Sequence, residues 1–473
     1  MRILITAFFD DNFGDMLIRT CFTQLLRTAL EDLGFEGRDH IIDTMPLKEA
    51  DEKKITDADV LFFAGGGLFG LSYLNFSESL KRILDIAEAS GTAVVFSSLG
   101  ANNMDAGEED TDELRSFFER NCIKAVSVRE NPDMFRRYAE GTDLDIIPVC
   151  DPAVWAGHVY HESAKKYKSA GSVKPLVGIN FVRGGLFRAN DTDWNMEKEE
   201  ELLYGLAGRL EEQGIDCRFF TNGSAMDCAA MLQFAEDYSI PKDKYILCDT
   251  ARDLVRTTAQ FDAVVATRMH SSIVSYALDV PSLNMVWNPK IPFFYENIAY
   301  PDRALMPDDW SVDNLVKKVN DLLADSDYSR DSEYMMSLYR FIAGTVGELL
   351  DQAKETDIYD YETVCQKLSE MEVPAEEDIS DMRFKLLRAE TQYNKLKKSK
   401  ANQKAELKEE IRSRNKELKA LKKENEKLAR KNEKLSEKYD KVRAERNALK
   451  RRLERIDNKP IVRLYHKIRG IRR

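Results

Sequence analysis

Short apolar runs rich in β-formers alternate with helical periodicity along most of this chain, and the series is interrupted once by a polar stretch. Arg2 to Thr6, Val60 to Ala64, Ala93 to Ser97, Ala125 to Val128 and Asp145 to Val149 read as strands. Helical patterns lie between them at about Met16 to Leu33, Ser77 to Ala89 and from Asn131. Such alternation predicts parallel strands joined by helical crossovers. After the stretch HESAKKYKSAGSVK (161–174) a second series follows: strands at Leu176 to Asn180, Cys217 to Thr221, Tyr245 to Cys248, Ala263 to Ala266 and Ser282 to Val286, with helices near Glu197 to Gln213 and Ala225 to Tyr238. The expectation is an α/β chain of two Rossmann-like domains, 1–160 and 175–355, joined by the 161–174 linker. Helices at Val312 to Leu323 and Tyr334 to Ala353 are expected to close the second domain.

An acidic linker, 356–378, ends this series, and the chain then changes character. With Leu407 at a d position and Ile411 at an a position, strict 4-3 spacing selects Leu418, Leu421, Asn425, Leu428, Asn432, Leu435, Tyr439, Val442, Leu449, Leu453 and Ile456, broken only by Arg414 and Arg446. A 3.5-residue repeat held this long predicts a coiled coil over 379–457, with Asn425 and Asn432 at a positions favouring a parallel homodimer. A basic amphipathic tail follows at 458–473. There Ile461, Val462, Leu464, Tyr465, Ile468 and Ile471 alternate with Arg463, Lys467, Arg469, Arg472 and Arg473. Peripheral contact with an anionic membrane surface is one reading of it. A solvated end, or one docked on the acidic body, is the other.

Charge supports this division, because residues 1–400 carry about −26 and residues 401–473 about +14, which together give the net −12. An acidic body is a poor grip for nucleic acid, so none is expected as a partner. The seven cysteines are scattered without a CxxC pair, which suggests neither a zinc cage nor a disulfide framework, and no metal or cofactor is expected. No apolar run reaches the roughly 18 residues of a membrane helix. The expected location is the cytoplasm, at the inner face of the membrane if the tail makes the lipid contact.

In paired Rossmann-like domains the ligand cleft lies between the carboxyl ends of the two sets of strands. Three loops there suit an anionic ligand. FFDDNFGD (8–15) brings Gly14 and Asp15 to the start of a helix, where N–H groups and the dipole favour negative charge. Gly65, Gly66 and Gly67 follow the run VLFFA and predict a tight turn, either against a ligand or against another backbone segment. Within VVATRMHSSIVSYALDVPSLNMVWNPKI (264–291), Arg268 and His270 begin a helix and Lys290 lies in the loop after the next strand. An Arg fork, a Lys point charge and a proton-carrying His on one rim suit a small, multiply anionic substrate. Arg183 in GINFVRGG (178–185) ends a strand facing the same cleft, and Trp287, Phe293, Phe294 and Tyr295 flank Lys290. Asp15 and Asp151 end strand-to-loop segments, where they either bind acceptor hydroxyls or cap the next helix.

Taken in order, NFGD (12–15), GGG (65–67), SLG (98–100), VRE (128–130), DP (151–152), RMHSS (268–272), VPSLNM (280–285) and Lys290 resemble the polysaccharide pyruvyl transferase family across about residues 1–345. That resemblance implies a glycosyltransferase-B-like pair of Rossmann domains. It also implies transfer of the enolpyruvyl unit of phosphoenolpyruvate onto two hydroxyls of a sugar or lipid-linked glycan acceptor, as a ketal, with release of phosphate. Arg129, His270 and Lys290 are the implied catalytic groups, and Arg268 is a fourth. His270 is expected as general acid, with Arg129 and Lys290 holding phosphate or carboxylate. A salt bridge from Arg129 to Glu130 is the alternative for that residue. Two rival functions are a glycosyltransferase with a nucleotide-sugar donor and a non-catalytic dimeric scaffold.

Overall fold

The computed structural model describes residues 1–7, 12–35, 40–70, 73–102, 114–166, 174–183, 194–350, 358–373, 382–468 and 470. Residues 8–11, 167–173 of the 161–174 linker, Gly184, Gly185, the acidic segment 374–381, Arg469 and Ile471 to Arg473 lie outside them. The chain divides into two compact units, Met1–Tyr393 and Asn394–Arg473.

Within the first unit the leading half runs β1 (Arg2–Ala7), α1 (Phe13–Asp32), β2 (Ile41–Pro46), α2 (Glu52–Thr56), β3 (Val60–Gly70), α3 (Tyr73–Ser90), β4 (Ala93–Asn102), β5 (Ile123–Val128), α4 (Pro132–Tyr138), β6 (Ile146–Pro148) and α5 (Ala156–Val159). Its six strands form one parallel sheet in the order β2-β1-β3-β4-β5-β6. Successive side chains alternate faces, so Ile3, Ile5, Phe62 and Val95 enter one core while Leu4, Leu61, Phe63, Val94 and Phe96 enter another on the opposite face. Both faces are covered by apolar packing, which explains why these strands read as continuous apolar runs.

The second half runs β7 (Leu176–Asn180), α6 (Met196–Glu212), β8 (Asp216–Phe220), α7 (Ala225–Asp237), β9 (Tyr245–Ile246), α8 (Ala251–Thr258), β10 (Ala263–Ala266), α9 (Met269–Ala277), β11 (Ser282–Met285), α10 (Lys290–Asn297), β12 (Ala304–Leu305) and α11 (Val312–Ala324). Its sheet is also parallel, in the order β12-β11-β10-β7-β8-β9. In each sheet the chain steps outward from its first strand and then returns to that strand's other side. The resulting switch points, β1/β3 and β7/β10, are where an open sheet leaves a crevice at its carboxyl edge.

Several elements depart from the sequence reading. The three glycines do not make a turn after β3. They lie within it, and Gly66 and Gly67 pair with Leu99 and Gly100 of β4. Gly65 and Gly66 nevertheless have φ of +76° and +95°, a region open to glycine without a Cβ penalty. Lys290 begins α10 rather than lying in a loop. The helix α12 (Ser332–Leu349), grouped by sequence with the second half, packs along α1, which is apolar on most of its surface and needs that cover. Inside the expected acidic linker, α13 (Tyr361–Glu370) buries Val364 and Leu368 against α1 and α5. Asp32 of α1 accepts hydrogen bonds from the Tyr339 hydroxyl and the Tyr359 N–H, both at 2.8 Å. These contacts tie the returning chain to the first half.

In the second unit the chain is helical. The helix α14 (Met382–Asp457) begins before the unit boundary and is 76 residues long, and α15 (Pro460–Ile468) follows it. Among the described residues no helix is long and apolar enough to cross a membrane.

Candidate active site at the facing switch points

The two switch points meet at the start of α1. Asn12 caps the helix, its side chain accepting from the Gly14 N–H at 3.2 Å and donating to Asp15 at 2.7 Å. The Phe13 N–H, which has no partner within its own helix, donates to the Asn222 carbonyl of the second half at 3.0 Å. The Phe13 ring lies where a Cβ on Gly223 would stand, and the His270 imidazole lies where a Cβ on Gly14 would stand. One bare glycine from each half therefore lets the two halves interlock, and Gly14 seats the histidine.

Around His270 the first half supplies a buried ionic cluster. Arg129, directly after β5, gives Nε to Glu130 at 2.8 Å and Nη1 to Asp151. Glu130 in turn accepts from the Ala101 N–H at 3.0 Å, and Asp151 accepts from the Ala153 N–H at 2.8 Å. A Cβ on Gly100 would collide with both the Arg129 guanidinium and the Glu130 carboxylate, so the SLG glycine leaves the room this ion pair occupies. Two residues beside the cluster hold left-handed backbone, Ser98 at φ +52° and Asn131 at φ +48°. Ser98 is fixed by a bond from its N–H to Ser127 and one from its hydroxyl to the Cys150 carbonyl, both 2.9 Å. Strain of this kind is retained where surrounding contacts over-determine it, often at functional sites.

The electrostatics follow from burial. Desolvation alone would make the Arg129 guanidinium easier to deprotonate, but Glu130, Asp151 and Asp15 outweigh it and hold the cation firmly. Burial would likewise raise Asp151, yet Arg129 and the facing His270 bring it down to about 2. Glu130 is pushed up by burial, against the pull of Arg129 and Lys290. Lys290 is brought down to about 8, first by desolvation and then by the Arg129 charge, with Glu130 and Asp15 opposing. His270 is 9% exposed, and its Nε2 stands 3.7 Å from Asp151 Oδ2, too far for a hydrogen bond. That atom has no hydrogen-bond partner.

Arg268 joins the second half's side of the cleft, but its fork is occupied. Nε and Nη2 both reach Asp227 at 2.9 Å, and Asp227 also accepts from the Arg183 N–H at 3.1 Å. Asp227 and Glu199 stand in the first turns of α7 and α6, and Asp227 has no signature in sequence because its partners Arg268 and Arg183 lie dozens of residues away. Glu199 is 1% exposed with both carboxylate oxygens unpartnered, and desolvation pushes its carboxyl well up. Asn180, Asn222, Ser271 and Thr267 form a hydrogen-bonded floor beneath α9.

The sequence-selected residues thus divide. His270, Arg129 and Asp151 are in direct contact or face one another, and Gly14 adjoins His270. Asp15 and Lys290 lie within electrostatic reach of Arg129. Arg268 and Arg183 converge on Asp227. Gly65 packs against Ile18 and the Ser98 carbonyl, a backbone-packing role. Asp151 accepts from Arg129 and from the Ala153 N–H, so it caps the turn that follows it and holds the guanidinium. Among the described residues no group of three or more His, Cys, Asp or Glu side chains is arranged to hold a metal ion. A cavity of about 630 Å³ lined by Arg27, Glu31, His40 and Met371 lies away from this chemistry.

The sequence model of a family described as polysaccharide pyruvyl transferase matches residues 12–289, from the cap of α1 to the residue before Lys290. No curated protein matches the chain. A structure of a protein assigned as a UDP-N-acetylglucosamine 2-epimerase from Listeria monocytogenes is similar in fold with a TM-score of 0.50 and 11% identity, covering 76% of this chain and 99% of that one. A UDP-GlcNAc 2-epimerase from Neisseria meningitidis bound to UDP-GlcNAc gives a TM-score of 0.45 at 8% identity over 74% and 100%. Anabaena Alr3699/HepE in complex with UDP and glucose gives 0.40 at 10% over 78% and 98%. The first of these shares the glycosyltransferase-B-like pairing of two parallel sheets.

Proposed function

The chain belongs to the polysaccharide pyruvyl transferase family, and from that premise we propose that it uses phosphoenolpyruvate as donor and forms a pyruvyl ketal on two hydroxyls of a cell-surface glycan precursor. The observation that carries this reading is His270 Nε2, buried, unpartnered and facing the Asp151 carboxylate beside a fixed Arg129 cation. A buried ring nitrogen without a partner is costly unless a ligand completes it.

In the reaction a proton adds to the methylene carbon of phosphoenolpyruvate, the central carbon becomes oxocarbenium-like, and one sugar hydroxyl attacks it. Phosphate then departs and the second hydroxyl closes the ketal. His270 supplies a proton at the methylene carbon or at the leaving phosphate, and Asp151 stabilises the imidazolium that does so. Lys290 and Arg129 place positive charge where the carboxylate and phosphate must lie. Arg268, held by Asp227, adds charge at the rim. The fold is shared with nucleotide-sugar enzymes and does not choose between donors.

Ligand-dependent thermal stabilisation tests the choice. Phosphoenolpyruvate at a hundredfold excess over Kd should stabilise the protein by about 2.7 kcal/mol. Lys290→Ala should abolish the effect, and His270→Ala should keep binding while losing turnover. Stabilisation by nucleotide sugars with none by phosphoenolpyruvate would overturn the donor assignment.

A further inference from the structure

Among the described residues of α14 an apolar stripe is exposed. Leu418, Leu421, Leu428, Leu435, Leu449 and Leu453 are each 51–64% exposed, although leucine at such a regular spacing gains nothing from water. A lone helix has no reason to keep these residues at alternating steps of three and four, whereas two helices wound about each other require it. We propose that a second copy of this chain covers the stripe, forming a parallel, in-register, two-stranded coiled coil over about residues 407–456.

Charge at the flanking positions selects both partner and direction. In a parallel pair each g position faces the e position five residues later on the other strand. Glu417 then meets Lys422, Glu445 meets Lys450 and Arg452 meets Asp457. Lys438 against Arg443 is the opposing pair. In an antiparallel pair e faces e, and from Lys408 to Lys450 that row includes Lys422 and Arg443 and no acidic residue. Its charged members, Lys408, Lys422, Arg443 and Lys450, are all cationic, so no pair in that row could form a salt bridge. Asn425 and Asn432 at successive a positions point the same way, since each amide finds a partner only when the strands are level. Fifty residues at about 1.5 Å each give a coil about 75 Å long. Both copies of α15 then emerge at the same end.

Light scattering on the full chain at tens of micromolar should return twice 54.2 kDa. The double variant Leu428→Lys/Leu435→Lys should return 54.2 kDa with the thermal transition of the α/β unit unchanged. Full-length Asn425→Cys, oxidised and run without reductant, should cross-link as a dimer, because only the level parallel register sets the two 425 positions face to face. A monomeric wild type would overturn the proposal, and so would a trimer. A dimer in which Asn425→Cys fails to cross-link would overturn the register and direction.

Discussion

At Gly14 the missing side chain makes room for the His270 ring, which occupies the space a Cβ would take. Gly14→Ala should therefore displace the imidazole while leaving Arg129 and Lys290 in place. A displacement on the order of 1 Å at a reacting group costs about 100-fold in turnover. We expect kcat to fall by about that factor with phosphoenolpyruvate affinity retained. Equal losses in binding and turnover would show instead that Gly14 supports the whole cleft. Lys290 gives a prediction with a sign. Burial and Arg129 bring its ammonium down to about 8, so it is a cation below that pH and increasingly neutral above it. Donor affinity should be full near neutrality and fall as pH rises through about 8, a drop that titration calorimetry would follow. Lys290→Arg should remove it, because a guanidinium keeps its proton above pH 12. A drop that survives in Lys290→Arg would assign the titration elsewhere.

Strands buried on both faces were plain in the sequence, whereas of the four edge strands β6 and β9 were read and β2 and β12 were not. Strands such as β3, β4 and β10 are continuous apolar runs because apolar packing covers both sides. The edge strand β2 is exposed along much of its length and β12 is two residues long, so neither interrupts the polar text around it. The RMHSS segment was legible as a site because its charged residues stand at a strand end. Glu130 against Gly100, and Arg268 against Asp227, were not, since such pairings depend on register between distant strands. The same applies to α12, whose periodicity shows a helix but not which face of which domain it covers, while α13 was read as part of a linker. Their tie to α1 makes a testable element-level claim. Tyr339 donates to the buried Asp32 carboxylate at 2.8 Å, and Tyr339→Phe removes that donor while keeping the ring. Urea unfolding should show a loss of about 1–3 kcal/mol. Tyr204→Phe, on an exposed face, should show none.

For the whole molecule, the separation of charge between an acidic body and a basic end has a consequence once the coil is paired. One α15 is nine residues long, with Ile461, Leu464 and Ile468 at 60–82% exposure and Arg463 and Lys467 among them. A single short helix of this kind holds an anionic lipid surface weakly, each basic residue contributing about 1 kcal/mol near the headgroups. Two copies fixed at one end of a coil bind as a unit, and the second contact becomes intramolecular, which multiplies apparent affinity by about 10²–10⁴. The full chain should therefore float with vesicles rich in phosphatidylglycerol and not with neutral phosphatidylcholine vesicles. Because the Debye length shrinks from about 10 Å at 0.1 M salt to about 3 Å at 1 M, high salt should release it. Leu428→Lys/Leu435→Lys should weaken flotation by separating the helices, and Ile461→Asp/Leu464→Asp should abolish it while leaving the dimer intact. A wild-type dimer that ignores anionic vesicles at low salt would show that the paired tails serve some contact other than lipid.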